Sequence, residues 1–288
     1  MATTDARLTE HPLLRQHIEG GMALSKAANW NQNEADWQLF FDLGIGMGCS
    51  DQNGRLCATT MIIPLGARFA WISVVLVADD MRRRGLASQL TKWAVGELNR
   101  MGVVPYLDAT PAGREVYLRL GFQDCWWLER LIAPTSRVAS AALSTIIVRP
   151  IDDAIWPRVL EYDAAIFGAD RRAILAPFRN RMPKAALYAM EAGQVVGFVL
   201  ARDGRLNTQI GPICADRPEI AIALLTQVLA QVAVPVCIDL PVRHQVIRDW
   251  LCANGFTVGR PFARMALGRA DTFDDSARLI ASAGPEFG

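Results

Sequence analysis

The sequence predicts an α+β protein of two tandem domains, each with a mixed, mostly antiparallel central sheet flanked by helices. Three observations point there. The chain has 288 residues, about two domains at the usual ~100–200 residues each. Hydrophobic residues make up 51% of it and charged residues 20%, enough apolar surface for buried cores. One order of elements (strand, helix, helix, three strands, helix, strand, helix, strand) is complete by residue 135 and then repeats after a small, polar stretch. The expected layout is a first domain at residues 1–135, a linker at 136–144, a second domain at 145–270 and a tail at 271–288. The tail ends Gly-Pro-Glu-Phe-Gly and is expected to be mobile.

Residues 5–12 read as the first strand and 14–28 as a helix weakened by Gly20 and Gly21. A polar turn between Trp30 and Trp37 leads into a second helix ending near Leu43, with Asn33 as its cap and acids in its first turn. Gly44, Gly46 and Gly48 invite a dinucleotide-binding reading, but that fingerprint opens a helix. Here the run leads to Asn53-Gly54, a hairpin turn. Residues 45–50 and 56–64 are therefore an antiparallel pair feeding a strand at 71–77, almost continuously apolar and β-branched. Apolar residues at Leu86, Leu90, Trp93, Ala94 and Leu98 have the spacing of an amphipathic helix. A strand at 103–109, a short helix carrying Tyr117 and a strand at 122–131 complete the set. In the second half, strands are expected at 145–151, 206–215 and 236–240 and a hairpin at 185–202. Helices are expected at 155–167, 171–181, 219–232 and 244–254, and a last strand runs to Leu267.

The stretch between the strand at 71–77 and the helix from Leu86 carries the chemistry. A strand, a tight turn and a helix N-terminus make a phosphate-binding arrangement, because the first helical N–H groups lack partners and the helix dipole adds positive charge. Gly85 and Ala87 let a diphosphate approach the backbone. The turn Arg82-Arg83-Arg84-Gly85-Leu86-Ala87, with its Val77-x-x-x-x arm, resembles the acyl-CoA signature of the GCN5-related N-acetyltransferases, Arg/Gln-x-x-Gly-x-Gly/Ala. Thr110, Gly113, Tyr117 and Gly121-Phe122 follow with that family's spacing, Thr110 replacing the family's Asn. Phe167-Gly168-Ala169-Asp170-Arg171, Gln209-Ile210-Gly211-Pro212 and Arg264-Met265 resemble the carboxy-terminal domain of the YitH/HolE-like tandem members, as Trp30-Asn31-Gln32 and Glu34-Ala-Asp-Trp37 resemble their amino-terminal part.

The resemblance implies an enzyme that moves acetyl from acetyl-CoA to a primary amine of a small molecule by direct attack. It implies backbone contacts to the cosubstrate from Val75, Leu76 and Val77, and phosphate contacts from residues 82–88, Ser88 included. It implies a further contact at Thr110, and Tyr117 as the acid that protonates the departing thiolate. In this family the loop between the first two helices lines the acceptor site, which makes Trp30, Asn31 and Glu34 candidates. No single general base is assignable, Asp108 and Glu34 being the candidates, and Asp170 and Arg171 could project into the acceptor pocket from the second half. That half lacks a glycine-bearing turn, having Cys214-Ala-Asp-Arg-Pro218, and has Leu251 where Tyr117 stands in the first. It reads as folded but without chemistry. A non-catalytic acyl-CoA sensor and a protein-modifying acetyltransferase are the alternatives.

Composition narrows the rest. A net charge of +1 gives no electrostatic case for nucleic acid or an acidic membrane, and no apolar run approaches the ~20 residues of a membrane span. The first residues lack a hydrophobic signal core, so a cytoplasmic enzyme is expected. The 6 cysteines show no Cys-x-x-Cys pair and the 3 histidines no ligand spacing, so neither disulfides nor a metal is expected.

Overall fold

The computed structural model describes residues 8–134 and 146–288; the expected linker lies outside the described residues. The first half runs β1 (Thr9–Pro12), α1 (Ile18–Ala27), α2 (Glu34–Leu43), β2 (Ile45–Ser50), β3 (Leu56–Leu65), β4 (Phe69–Val77), α3 (Leu86–Met101), β5 (Val104–Ala109), α4 (Pro111–Leu118) and β6 (Phe122–Ala133). The second runs β7 (Val148–Pro150), α5 (Trp156–Phe167), α6 (Arg172–Arg181), β8 (Leu187–Glu191), β9 (Gln194–Arg202), β10 (Thr208–Ala215), α7 (Pro218–Leu229), β11 (Val236–Pro241), α8 (Gln245–Ala253) and β12 (Thr257–Leu267). A short β13 (Leu279–Ala281) follows. Local signals chose these elements as the sequence suggests. Asn33 caps α2, its Oδ1 accepting the Asp36 amide at 3.1 Å while Asp36 Oδ2 accepts the Asn33 amide at 3.2 Å. The β2–β3 turn closes through the Gly54 amide on the Asp51 carbonyl at 2.9 Å.

The strands pair in the order β1-β2-β3-β4-β5-β12-β6-β11-β10-β9-β8-β7, with β13 beside β10. Each half therefore has its mixed, mostly antiparallel sheet and flanking helices, but the two sheets are continuous. The halves exchange their last strands. β12 lies antiparallel between β5 and β6, and β6 pairs with β11, Ala133 opposite Val236 and Leu128 opposite Pro241. This interleaving was not legible from the repeated order of elements, because strand partners are chosen by long-range pairing.

In each half the two parallel strands separate after a short contact. β4 and β5 pair through Phe69–Val104, Ala70–Pro105 and Trp71–Tyr106 and then diverge. β10 and β11 pair through Thr208–Val236, Gln209–Cys237 and Ile210–Ile238 and diverge likewise. In the first half the divergence opens a cavity. In the second it is filled by the chain itself. Ile213 pairs with Ala281 and Cys214 with Leu279, the Ala215 amide donates to the Arg278 carbonyl, and the Ser282 amide to Asp239, both at 3.0 Å.

Residues 271–288 are thus not the mobile tail expected from sequence. Leu279, Ile280, Ala281, Ala283 and Phe287 are buried. Trp71 Nε1 donates to the Pro285 carbonyl at 2.8 Å and Ser73 Oγ to the Glu286 carbonyl at 2.6 Å. The physical reason is the gap between β10 and β11. Its backbone groups need partners, and a short apolar strand supplies both hydrogen bonds and buried surface. Arg202 of β9 is fully buried between Asp36 of α2, at 2.8 Å, and Glu286. One ion-paired group so joins the first half, the second half and the tail. Removing one member of such a buried set typically costs ~3–5 kcal/mol, because the others are left uncompensated. Among the described residues no helix is long and apolar enough to cross a membrane.

Candidate active site

The cavity begins with an irregularity in β4. Its pairing with β3 slips between Thr59 and Met61, so Val74 and Val75 together face Thr60. Val74 takes a φ of +45°, a costly conformation for a β-branched residue and one that concentrates at functional sites. Thr59 Oγ1 holds it, donating to the Val74 carbonyl at 2.8 Å. Beyond this bulge Val75, Leu76 and Val77 line a cavity of about 750 Å³.

The turn at 82–88 closes one end. Arg83 and Gly85 adopt left-handed conformations, φ 63° and 83°, the kind of backbone in which successive amides form an anion-binding concavity. A side chain at Gly85 would project into open space, with nothing within 4 Å. The Gln89 amide makes the first bond of α3, to the Gly85 carbonyl at 3.0 Å, so the amides of Leu86, Ala87 and Ser88 have no intrahelical acceptor. Asp79 and Asp80, which would repel an anion, are paired with Arg82 and Arg55, both at 2.6 Å. Arg82, Arg83 and Arg119 line this end and are exposed. Arg84, expected beside them, does not line the cavity; its Nη1 lies 3.6 Å from Met81 Sδ.

Tyr117 projects from α4. Thr110 caps that helix, its Oγ1 accepting the Gly113 amide at 3.2 Å. Thr110 still lines the cavity, with its hydroxyl oxygen partly committed to the cap. A Cβ at position 113 would lie 3.1 Å from Tyr117 Cε2, so glycine leaves the ring its place. The tyrosine is buried against Phe122, ring centres 5.8 Å apart. Its hydroxyl has no hydrogen-bond partner among the described residues, and burial pushes its pKa well above the ordinary phenol value.

The opposite end draws on both halves. Trp30, Gln32, Arg130, Arg260, Phe262 and Glu286 line it. Of the acceptor-site residues expected from sequence, Trp30 therefore lines the cavity. Asn31 does not, because its side chain ties the loop to the second half. Its Nδ2 donates to Asn207 and its Oδ1 accepts the Leu206 and Asn207 amides, at 3.0, 2.9 and 2.9 Å. Glu34 is exposed at the start of α2 and bonded to Gln38 at 3.1 Å. Asp108 lines the cavity, but Arg264 grips both its oxygens at 2.9 Å, so it is no free base. Asp170 is exposed and paired with Arg172 at 2.8 Å. Arg171 is buried away from the cavity, forked onto Asp163 at 2.8 and 2.9 Å and bonded to the Gly288 carbonyl at 2.7 Å. Both follow from helix and core requirements that residue type alone does not reveal. Gln32, two residues after Trp30, was not expected here from sequence. Arg260 and Glu286 had no local signal, since strand exchange and the buried tail bring them here.

Known proteins share this architecture. Residues 21–122 match a family described as the acetyltransferase (GNAT) family, and residues 159–281 one described as an acetyltransferase (GNAT) domain. The Bacillus subtilis protein YitH, named an uncharacterized N-acetyltransferase, is 23% identical over 249 residues, 85% of this chain and 86% of its own. A solved Pyrococcus horikoshii protein, itself only provisionally assigned as an acetyltransferase, superposes with a TM-score of 0.79 at 18% identity. That match covers 100% of this chain and 98% of the other. A tandem GNAT protein from the clavulanic acid pathway gives 0.62 at 14% identity, covering 90% and 98%. At these identities the two structures speak for the fold. With both halves matched separately and a relative matched along most of the chain, this protein belongs to the GCN5-related N-acetyltransferases, as a tandem-domain acyltransferase.

Proposed function

We propose that the first half binds acetyl-CoA and transfers its acetyl group to the primary amine of a small molecule, with the second half walling the acceptor pocket. A cytoplasmic setting belongs to the same reading. The observation that carries it is the cavity itself. A bulged strand, a helix N-terminus and an unpartnered tyrosine hydroxyl line one space, while residues of the second half close its other end. The diphosphate would sit on the amides of residues 86–88, with Arg82, Arg83 and Arg119 around it. Beyond Trp71 the edge of β4 that has parted from β5 would take the pantetheine arm and the thioester. In the transfer, the free amine attacks the thioester carbon, the C–N bond forms as the C–S bond breaks, and Tyr117 gives its proton to the departing sulfur. The amine's proton leaves to solvent water, and the Tyr117 oxygen takes a proton back from solvent to restore the acid. A fixed donor at the carbonyl oxygen, where charge develops, lowers the barrier further. Walls from Phe262 and Glu286 favour a small acceptor over a protein, which needs an open groove.

In the second half the corresponding gap is closed. β13 fills the gap beside β10, and Leu251 is fully buried in a hydrophobic core. Titration with a non-hydrolysable acyl-CoA, followed by calorimetry, is therefore expected to saturate near one equivalent per chain. Two equivalent sites would contradict this assignment.

Gly85→Glu places a charged side chain in the open space above the turn and strains a backbone with φ 83°. Acetyl-CoA affinity is expected to fall by more than about 100-fold, as two adverse effects of ~1–3 kcal/mol combine, while the circular dichroism stays native. Undiminished affinity in a folded variant would remove the phosphate-site reading.

A further inference from the structure

The arginines at the acceptor end differ in one respect. Arg130 forks onto Asp239 at 2.8 Å through both contacts, Arg202 is held by Asp36 and Glu286, and Arg264 is held by Asp108. Arg260 has no hydrogen bond or ion pair among the described residues. It is half-buried, and its guanidinium carbon lies 5.9 Å from the Trp30 ring centre and 5.1 Å from that of Phe262. Both rings line the cavity with it. The aromatic faces hold the cation in place but leave its N–H fork empty. Burial and the neighbouring Arg130 charge both disfavour the guanidinium, and its pKa is lowered accordingly. A charge held in that way is compensated when an anion arrives.

A second observation lies in the same space. Gln32 lines the cavity, and its Oε1 is buried without a hydrogen-bond partner, an uncommon and costly state for a polar atom. Glu286 lines the same end, its Oε1 held by Arg202 and its Oε2 without a hydrogen bond among the described residues. An unpaired cation beside two hydrogen-bond acceptors complements a molecule carrying a carboxylate and an amine. The cosubstrate's phosphates are already provided for at the opposite end, by the turn with Arg82 and Arg83 and by Arg119.

We propose that the acceptor is an amino acid or a similar amino carboxylate, with Arg260 binding its carboxylate while Gln32 and Glu286 receive its amine. This rests on the acetyl-transfer reading of the cavity, and its test separates the two.

The full chain is supplied with saturating acetyl-CoA and a panel of amino acids, each beside its carboxamide, its decarboxylated amine and its aminophosphonate, with thiol release measured. Carboxylates are expected to exceed their carboxamides in kcat/KM by about 10–100-fold, the scale of a charge-assisted hydrogen-bonded contact. Arg260→Gln is expected to bring that ratio to about one, mainly through KM, and Arg260→Lys to restore part of it. Calorimetry of the same amino acids against the CoA-saturated protein reads the contrast without turnover. Acetyl-CoA affinity serves as the control for folding. Equal use or equal binding of carboxylate and carboxamide overturns the proposal, as does a preference that survives Arg260→Gln. Consistently preferred aminophosphonates overturn the choice of carboxylate, and a panel with no carboxylate-dependent binding overturns it outright. Loss of acetyl-CoA binding by the unaltered chain would instead sink the underlying reading.

Discussion

Phe287→Ala is expected to destabilise the protein by about 3–5 kcal/mol, the usual cost of truncating a buried phenylalanine. The ring is fully buried. It stacks on Phe40 of α2 with ring centres 5.0 Å apart and meets Phe178 of α6 edge-on at 5.4 Å. One residue of the tail thus packs a helix of the first half against a helix of the second. The collapse of those helices into the space left is resisted by the buried Arg202 ion pairs beside it. Urea unfolding of the variant should show a lower midpoint with an unchanged slope. A surface tail would give a change within about 0.5 kcal/mol, and that result would refute the packing described for residues 279–288. Because Glu286 and Pro285 line the cavity one and two residues away, ligand binding should weaken along with stability.

Tyr117→Phe is expected to lower the rate of acetyl transfer by about 10²–10⁴-fold, the range for loss of a positioned general acid. The ring would keep its place over Gly113 and against Phe122, so acetyl-CoA affinity should change little. Burial raises the pKa of the Tyr117 hydroxyl above its ordinary value near ~10. The sign follows directly. A raised phenol pKa keeps the proton in place to higher pH, so Tyr117 should produce no falling limb in the pH–rate profile below about pH 10. Single-turnover rates across pH test both statements. Full turnover in the variant, under conditions where chemistry limits the rate, would leave Tyr117 as packing alone.

The end of the cavity proposed for the cofactor was legible because its pattern is local. Arg82 to Ser88 need only a strand before them and a helix after them, and both are announced by hydrophobic periodicity. Tyr117 and Thr110 follow from a short helix whose cap and glycine stand within eight residues. At the other end, of the residues expected there, only Trp30 and Asp108 line the cavity. Asn31, Glu34, Asp170 and Arg171 had suitable side chains, but each is spent on a helix start, a loop tie or a core ion pair. Which of two polar neighbours faces a cavity depends on a rotation of the backbone that residue type does not encode.

The sequence by itself determined the elements up to β12, their order, the repeat and the glycine-bearing turn before α3, since each rests on interactions between residues a few positions apart. Only the tertiary structure decided where β6 and β12 would pair, what fills the gap beside β10, and which charges meet at the acceptor end. Those outcomes depend on pairings across more than a hundred residues, such as Arg264 with Asp108 and Arg130 with Asp239. Many strands in this chain are apolar enough to be neighbours, and the choice among them is made by the packing of the whole sheet. The tail shows the same physics. Leu279, Ile280 and Phe287 are too few to fold alone, and they become core because the rest of the protein leaves a space of their shape.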